Sequence, residues 1–71
     1  MDNPWTYEIR VEGVLSEGWS DWFEGLEISN DPGGITTLRG QLVDQAALFS
    51  VLMRIHNLNL TLISVARSST R

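Results

Sequence analysis

Along this chain the spacing of apolar residues switches four times between the alternation of a strand and the three-or-four spacing of a helix. Tyr7, Ile9 and Val11 alternate with Glu8, Arg10 and Glu12, and Trp5 is in phase with the apolar set, so residues 5–15 read as a half-buried strand. Gly13 interrupts it near its end, where a bulge or bend is expected. In residues 16–25 the period changes: Trp19, Trp22 and Phe23 stand at i, i+3 and i+4, between Ser16 as N-cap and Gly25 as terminator. That is a helix of about two turns, which needs tertiary packing to be stable. Residues 26–29 alternate again. Asn30-Asp31-Pro32-Gly33-Gly34 is a strong turn signal, and residues 35–43 return as a strand with Thr36, Leu38, Gly40 and Leu42 in one phase. The pair reads as a hairpin. Asp44 then caps a second helix over residues 45–57, whose core stripe is Leu48, Val51, Leu52 and Ile55, with Asn57 or Asn59 placed to take the left-handed conformation at its end. Residues 60–66 are a nearly continuous apolar run and read as the last strand. Residues 1–4 and 68–71 are expected to fray.

The resulting order, β-α-β-β-α-β, predicts one α+β domain over residues 1–71. Two right-handed crossovers onto one sheet give the ferredoxin-like arrangement: a four-stranded antiparallel sheet of order 4-1-3-2, both helices on one face, the first helix short. The outward residues of the two central strands are then Glu8, Arg10 and Glu12 against Arg39 and Gln41, which makes the open face polar. RNA-binding domains of similar topology carry stacking aromatics there, and this chain has none.

Composition narrows the function classes. A chain of 71 residues buries only roughly 60% of its unfolded surface, and domains of this size often lean on disulfides, a metal or self-association. With no cysteine and a single histidine, self-association is the route left open. The net charge of −4, with five scattered arginines and no lysine, argues against a nucleic-acid partner. No apolar run approaches the roughly 20 residues of a membrane-spanning helix. Nor do the first residues resemble a signal peptide, so the expected compartment is cytoplasmic.

Three features stand out as interaction candidates. Trp19, Trp22 and Phe23 are either core or a hot-spot patch, with Trp19 the best placed of the three to be surface. Phe49, Met53 and His56 form a second stripe on the second helix, which either packs sideways on the first helix or faces a partner. In the last strand Leu60, Leu62, Ser64 and Ala66 alternate with Thr61, Ile63 and Val65, so both faces of an edge strand are largely apolar, an aggregation hazard unless covered. The interface candidates are therefore Trp19, Phe49, Met53, Ile63 and Val65. His56 lacks a nucleophile or orienting partner nearby in sequence and reads as a surface residue. Glu17, Asp21, Glu24, Glu27 and Asp31 match no calcium loop and read as a solvated face. Asp31-Pro32-Gly33-Gly34 opens a strand rather than a helix, which is not a phosphate loop. No catalytic residue, metal site or cofactor motif is identified.

The segments Trp19-Ser20-Asp21-Trp22-Phe23-Glu24-Gly25-Leu26 and Asp44-Gln45-Ala46-Ala47-Leu48, with the closing residues 60–67, resemble a family of short, uncharacterised bacterial proteins of about this length. The resemblance runs from about Tyr7 to Arg67. It implies a small stand-alone domain and carries no activity. The expected function is a non-enzymatic protein-interaction module, a homodimer or a partner of another protein, built on the last strand or on the Phe49/Met53 flank. The alternative is a small-molecule binding or sensing domain with its pocket between the tryptophans and the second helix.

Overall fold

A computed structural model describes residues 5–69, with the side chains of residues 68 and 69 left aside. Its elements are β1 (Trp5–Glu12), a 3-10 segment (Glu17–Phe23), β2 (Glu27–Asp31), β3 (Ile35–Leu42), α1 (Gln45–Asn57) and β4 (Thr61–Ser69). The four strands form one sheet of order β2-β3-β1-β4, which reads 4-1-3-2 from the β4 edge, and every neighbouring pair is antiparallel. Together with the two helical segments this is an α+β fold.

The alternation in β1 has the consequence expected of it. Tyr7, Ile9 and Val11 are buried on the helix side, while Glu8, Arg10 and Glu12 are exposed on the other. In β3, Thr36, Leu38, Gly40 and Leu42 lie opposite Val11, Ile9, Tyr7 and Trp5, so the same face continues across the pair. Glu8 sits directly opposite Arg39, and Arg39 opposite Glu27, which gives the open face an alternating row of charge. A Cβ on Gly40 would stand 2.9 Å from Leu26 Cδ2, so the missing side chain is what lets Leu26 cross β3 and reach the core. One buried cluster holds these residues together with Phe23, Leu26 and Ile28 from the first crossover and hairpin and Leu48, Val51 and Ile55 from α1. Both helical segments therefore pack on the same face of the sheet.

Local chemistry fixes the connections. The Asp44 carboxylate accepts from the Ala47 amide at 2.9 Å, the N-cap its position predicts. Asn59 takes the left-handed conformation after α1. The chain bends at Gly13, whose amide donates to the Gly34 carbonyl at 2.7 Å. Thr36 is wholly buried and its hydroxyl lies 2.6 Å from the Gly13 carbonyl and 2.9 Å from Asn30 Oδ1, while Asn30 Nδ2 donates to the Leu15 carbonyl. One buried hydroxyl thus joins the end of β1, the loop after it and the hairpin.

Three expectations are corrected. The first helix is not α-helical. In a 3-10 helix each residue turns the chain by about 120°, so residues i and i+3 eclipse and i+4 points elsewhere. Trp19 and Trp22 consequently share one column, and Phe23 turns alone into the core. Ser16 makes no side-chain cap, and the segment ends through Glu24 and Gly25, both at positive φ. The last strand is longer than the apolar run: backbone pairs Thr6↔Ser68 and Trp5↔Ser69 extend it to Ser69. Residues 1–4, 70 and 71 lie outside the described residues. The alternating faces expected of residues 60–66 are also broken, because the register shifts between Arg10↔Ser64 and Val11↔Leu62 and leaves Ile63 as the extra residue of a β-bulge.

Candidate functional site

The bulge decides which β4 residues meet which face. Leu62 opposes Val11 and Val65 opposes Ile9, so both join the helix side although they are three residues apart. Thr61, Ser64 and Ala66 oppose Glu12, Arg10 and Glu8 and join the polar side. From Thr61 to Ala66 the paired residues thus set Leu62 and Val65 on one face and Thr61, Ser64 and Ala66 on the other, and Arg67, opposite Tyr7, falls on the helix side.

The described chain covers that apolar face less completely at β4 than at the other strands. One row of residues crosses the sheet beneath the helical layer: Ile28, Leu38, Ile9 and Val65. Their exposures are 5, 0, 0 and 39%. The 3-10 segment rests on β2, and α1 lies toward β3 and β4 without closing over the edge. Every β4 residue from Thr61 to Arg67 is exposed.

The free flank of α1 continues this surface. At about 100° per residue, Phe49 and His56 fall on one side of the buried Leu48/Val51/Ile55 stripe, Met53 further round, and Arg54 on the opposite side. Arg54 faces the 3-10 segment: its Nη1 donates to the Trp22 carbonyl at 2.7 Å and lies 3.3 Å from Glu24 Oε2, and its guanidinium stands 5.1 Å from the Trp22 ring centroid. The flank bearing Phe49 therefore turns away from the 3-10 segment and toward the β4 edge. Sideways packing of this stripe on the first helix does not occur. Phe49, Met53, Leu62, Ile63 and Val65 are each 39 to 60% exposed; Phe49 lies on the flank of α1 away from the 3-10 segment, Met53 on the outer side of α1, Leu62 and Val65 on the helix side of β4, and Ile63 at the bulge between them.

Of the five sequence-predicted interface residues, Phe49 and Met53 lie on exposed parts of α1 and Ile63 and Val65 on β4. Trp19 is on the 3-10 segment. It lies beyond Arg54, half-exposed, edge-on to Trp22 with ring centroids 6.3 Å apart. Leu62 belongs to the surface and was missed, because strict alternation assigns it to the face opposite Val65. Arg54 spans the gap between the tryptophans and α1. A depression on the open face, lined by Thr6, Glu8, Arg39, Ala66 and Arg67, encloses about 130 Å³, below the roughly 300 Å³ where ligand pockets begin. His56 is exposed and makes no side-chain hydrogen bond among the described residues. Among the described residues no group of three His, Cys, Asp or Glu side chains is placed to hold a metal ion, and no helix is long and apolar enough to cross a membrane.

Charge divides the chain the same way. All nine acidic residues precede Gln45, so α1 and β4 contain none. The apolar side is thus free of carboxylates, and Arg67 of β4 stacks its guanidinium 4.2 Å from the centroid of Trp5.

A small antiparallel α+β sheet with one edge closed by a 3-10 segment and the other left open is what these features define. The chain belongs to the family described as Domain of unknown function (DUF8691), which matches residues 6–66. No curated protein and no solved structure matches it.

Proposed function

We propose that this chain is a non-catalytic interaction module that self-associates through β4 and the free flank of α1. The observation that carries the reading is the row Ile28, Leu38, Ile9, Val65, buried at every position except the last. A second copy fits the surface better than an unrelated chain for two reasons. Because the surface carries no carboxylate, two copies meet there without bringing their acidic halves together, and a two-fold axis makes a patch its own complement. Five side chains at 39 to 60% exposure amount to roughly 450 Å², within the range of the largest patch on a typical monomer. Two such patches, with the strand edges added, approach the roughly 1,000 Å² of a specific interface. We further read the sheet as ferredoxin-like, supported by its antiparallel pairing and by an order that runs 4-1-3-2 from β4.

Size-exclusion chromatography with light scattering across micromolar concentrations tests the proposal. A dimer mass that falls on dilution is expected, and Val65→Lys or Phe49→Glu is expected to give a monomer throughout. A monomer at high micromolar concentration defeats the reading, as does a dimer that both substitutions leave intact.

A further inference from the structure

The second exposed surface has a different chemistry. The 3-10 segment presents three columns of side chains, because residues three apart eclipse. The column Glu17, Ser20 and Phe23 includes the one side chain that enters the core, and the Ser20 hydroxyl donates to the Leu26 carbonyl at 2.7 Å. The column Trp19 and Trp22 is aromatic and half-exposed, its rings nearly perpendicular at 76°. The column Gly18 and Asp21 is exposed, and Glu24 follows as the C-cap. The open aromatic pair thus stands in a stretch that carries Asp21 and has no positive residue between Arg10 and Arg39.

The chain already shows what such a corner holds. Arg54 lays its guanidinium against the Trp22 ring and satisfies its donors on the Trp22 carbonyl and Glu24. Trp5 carries Arg67 in the same way. Of the three tryptophans, Trp19 is the one without a guanidinium from the described residues on its face. We propose that the Trp19/Trp22 corner, with Asp21 beside it, binds a cationic side chain of a basic peptide segment. The indole face supplies the cation–π attraction and the carboxylate the charge. The site is independent of self-association, since it lies across Arg54 from the Phe49 flank.

The test titrates the full chain with a tetra-arginine peptide and with the neutral tetra-citrulline peptide of the same shape, following the indole N–H resonances by NMR. Shifts centred on Trp19 and Trp22 with the arginine peptide are expected, and binding about tenfold weaker for citrulline. Trp19→Ala is expected to weaken the arginine peptide about tenfold as well, and Asp21→Asn several-fold. Asp21 is fully on the surface, so its variant remains informative if Trp19→Ala misfolds. Equal binding of the two peptides overturns the proposal. So does arginine-peptide binding that Asp21→Asn leaves unchanged, or shifts that spare the Trp19 indole.

Discussion

The two edges of this sheet differ in length, charge and cover. β2 is five residues long, carries Glu27 and Asp31, runs into Pro32, and is roofed by the 3-10 segment that sends Phe23 into the core. Short length, charge and a proline are what natural sheets use to keep an edge from pairing with another chain. β4 is nine residues long, has no charge from Thr61 to Ala66, and is only partly covered by α1, so that each residue from Thr61 to Arg67 is exposed. A bulge and Arg67 are the guarding devices it carries among its described side chains. The difference teaches that a small domain can concentrate its limited helical cover on one half of its sheet and leave apolar side chains exposed on the other.

Four measurements probe this contrast, the largest effect first. Phe23→Ala empties a fully buried site under the roofed edge and is expected to cost about 3–5 kcal/mol in urea unfolding, enough to unfold a domain of this size. Ile28→Ala and Val65→Ala remove side chains from the two ends of one row. At concentrations low enough for monomer, the first is expected to cost about 2–4 kcal/mol and the second under about 1 kcal/mol; equal costs would mean that β4 is as well covered as β2. Arg54→Ala removes the tie between α1 and the roof. Its ion pair with Glu24 is largely solvated, so the expected loss is about 1 kcal/mol, mostly from the carbonyl bond and the Trp22 contact. Tryptophan fluorescence should shift with it, since Trp22 loses its cover. Glu27→Gln removes one charge opposite Arg39 on the guarded edge. Its stability effect is expected to be at most about 0.5 kcal/mol and to vanish in high salt.

Much of this was legible in the residues, and the parts that were not have definite physical reasons. The two periods locate β1, the hairpin and α1 because each buries one face and solvates the other. The N-cap at Asp44 follows from side-chain chemistry, which also narrows the left-handed residue after α1 to Asn57 or Asn59, and the structure takes Asn59. The 3-10 segment is harder, since about 20° per residue separates it from an α-helix. Over Trp19, Trp22 and Phe23 that small angle decides whether three aromatics share a face or whether Phe23 leaves the other two outside. The bulge at Ile63 is harder still. No glycine or proline marks it in the run from Leu60 to Ala66, and its position is set by pairing with β1, which is information from another part of the chain. The candidate surface was therefore readable as a set of apolar residues in excess, but not in its placement: Trp19 lies on the 3-10 segment, and Leu62 enters only once the bulge is known.

That bulge gives β4 one residue of slack. Val11↔Leu62 and Arg10↔Ser64 are already in step with β1, so Ile63 is the residue whose removal changes the strand's length without changing its phase. A relative shorter by that one position keeps Leu62 and Val65 on the helix side and the small polar residues on the other. The bulge therefore lets the outer strand differ in length by one residue at this point without moving Leu62 and Val65 to the other face.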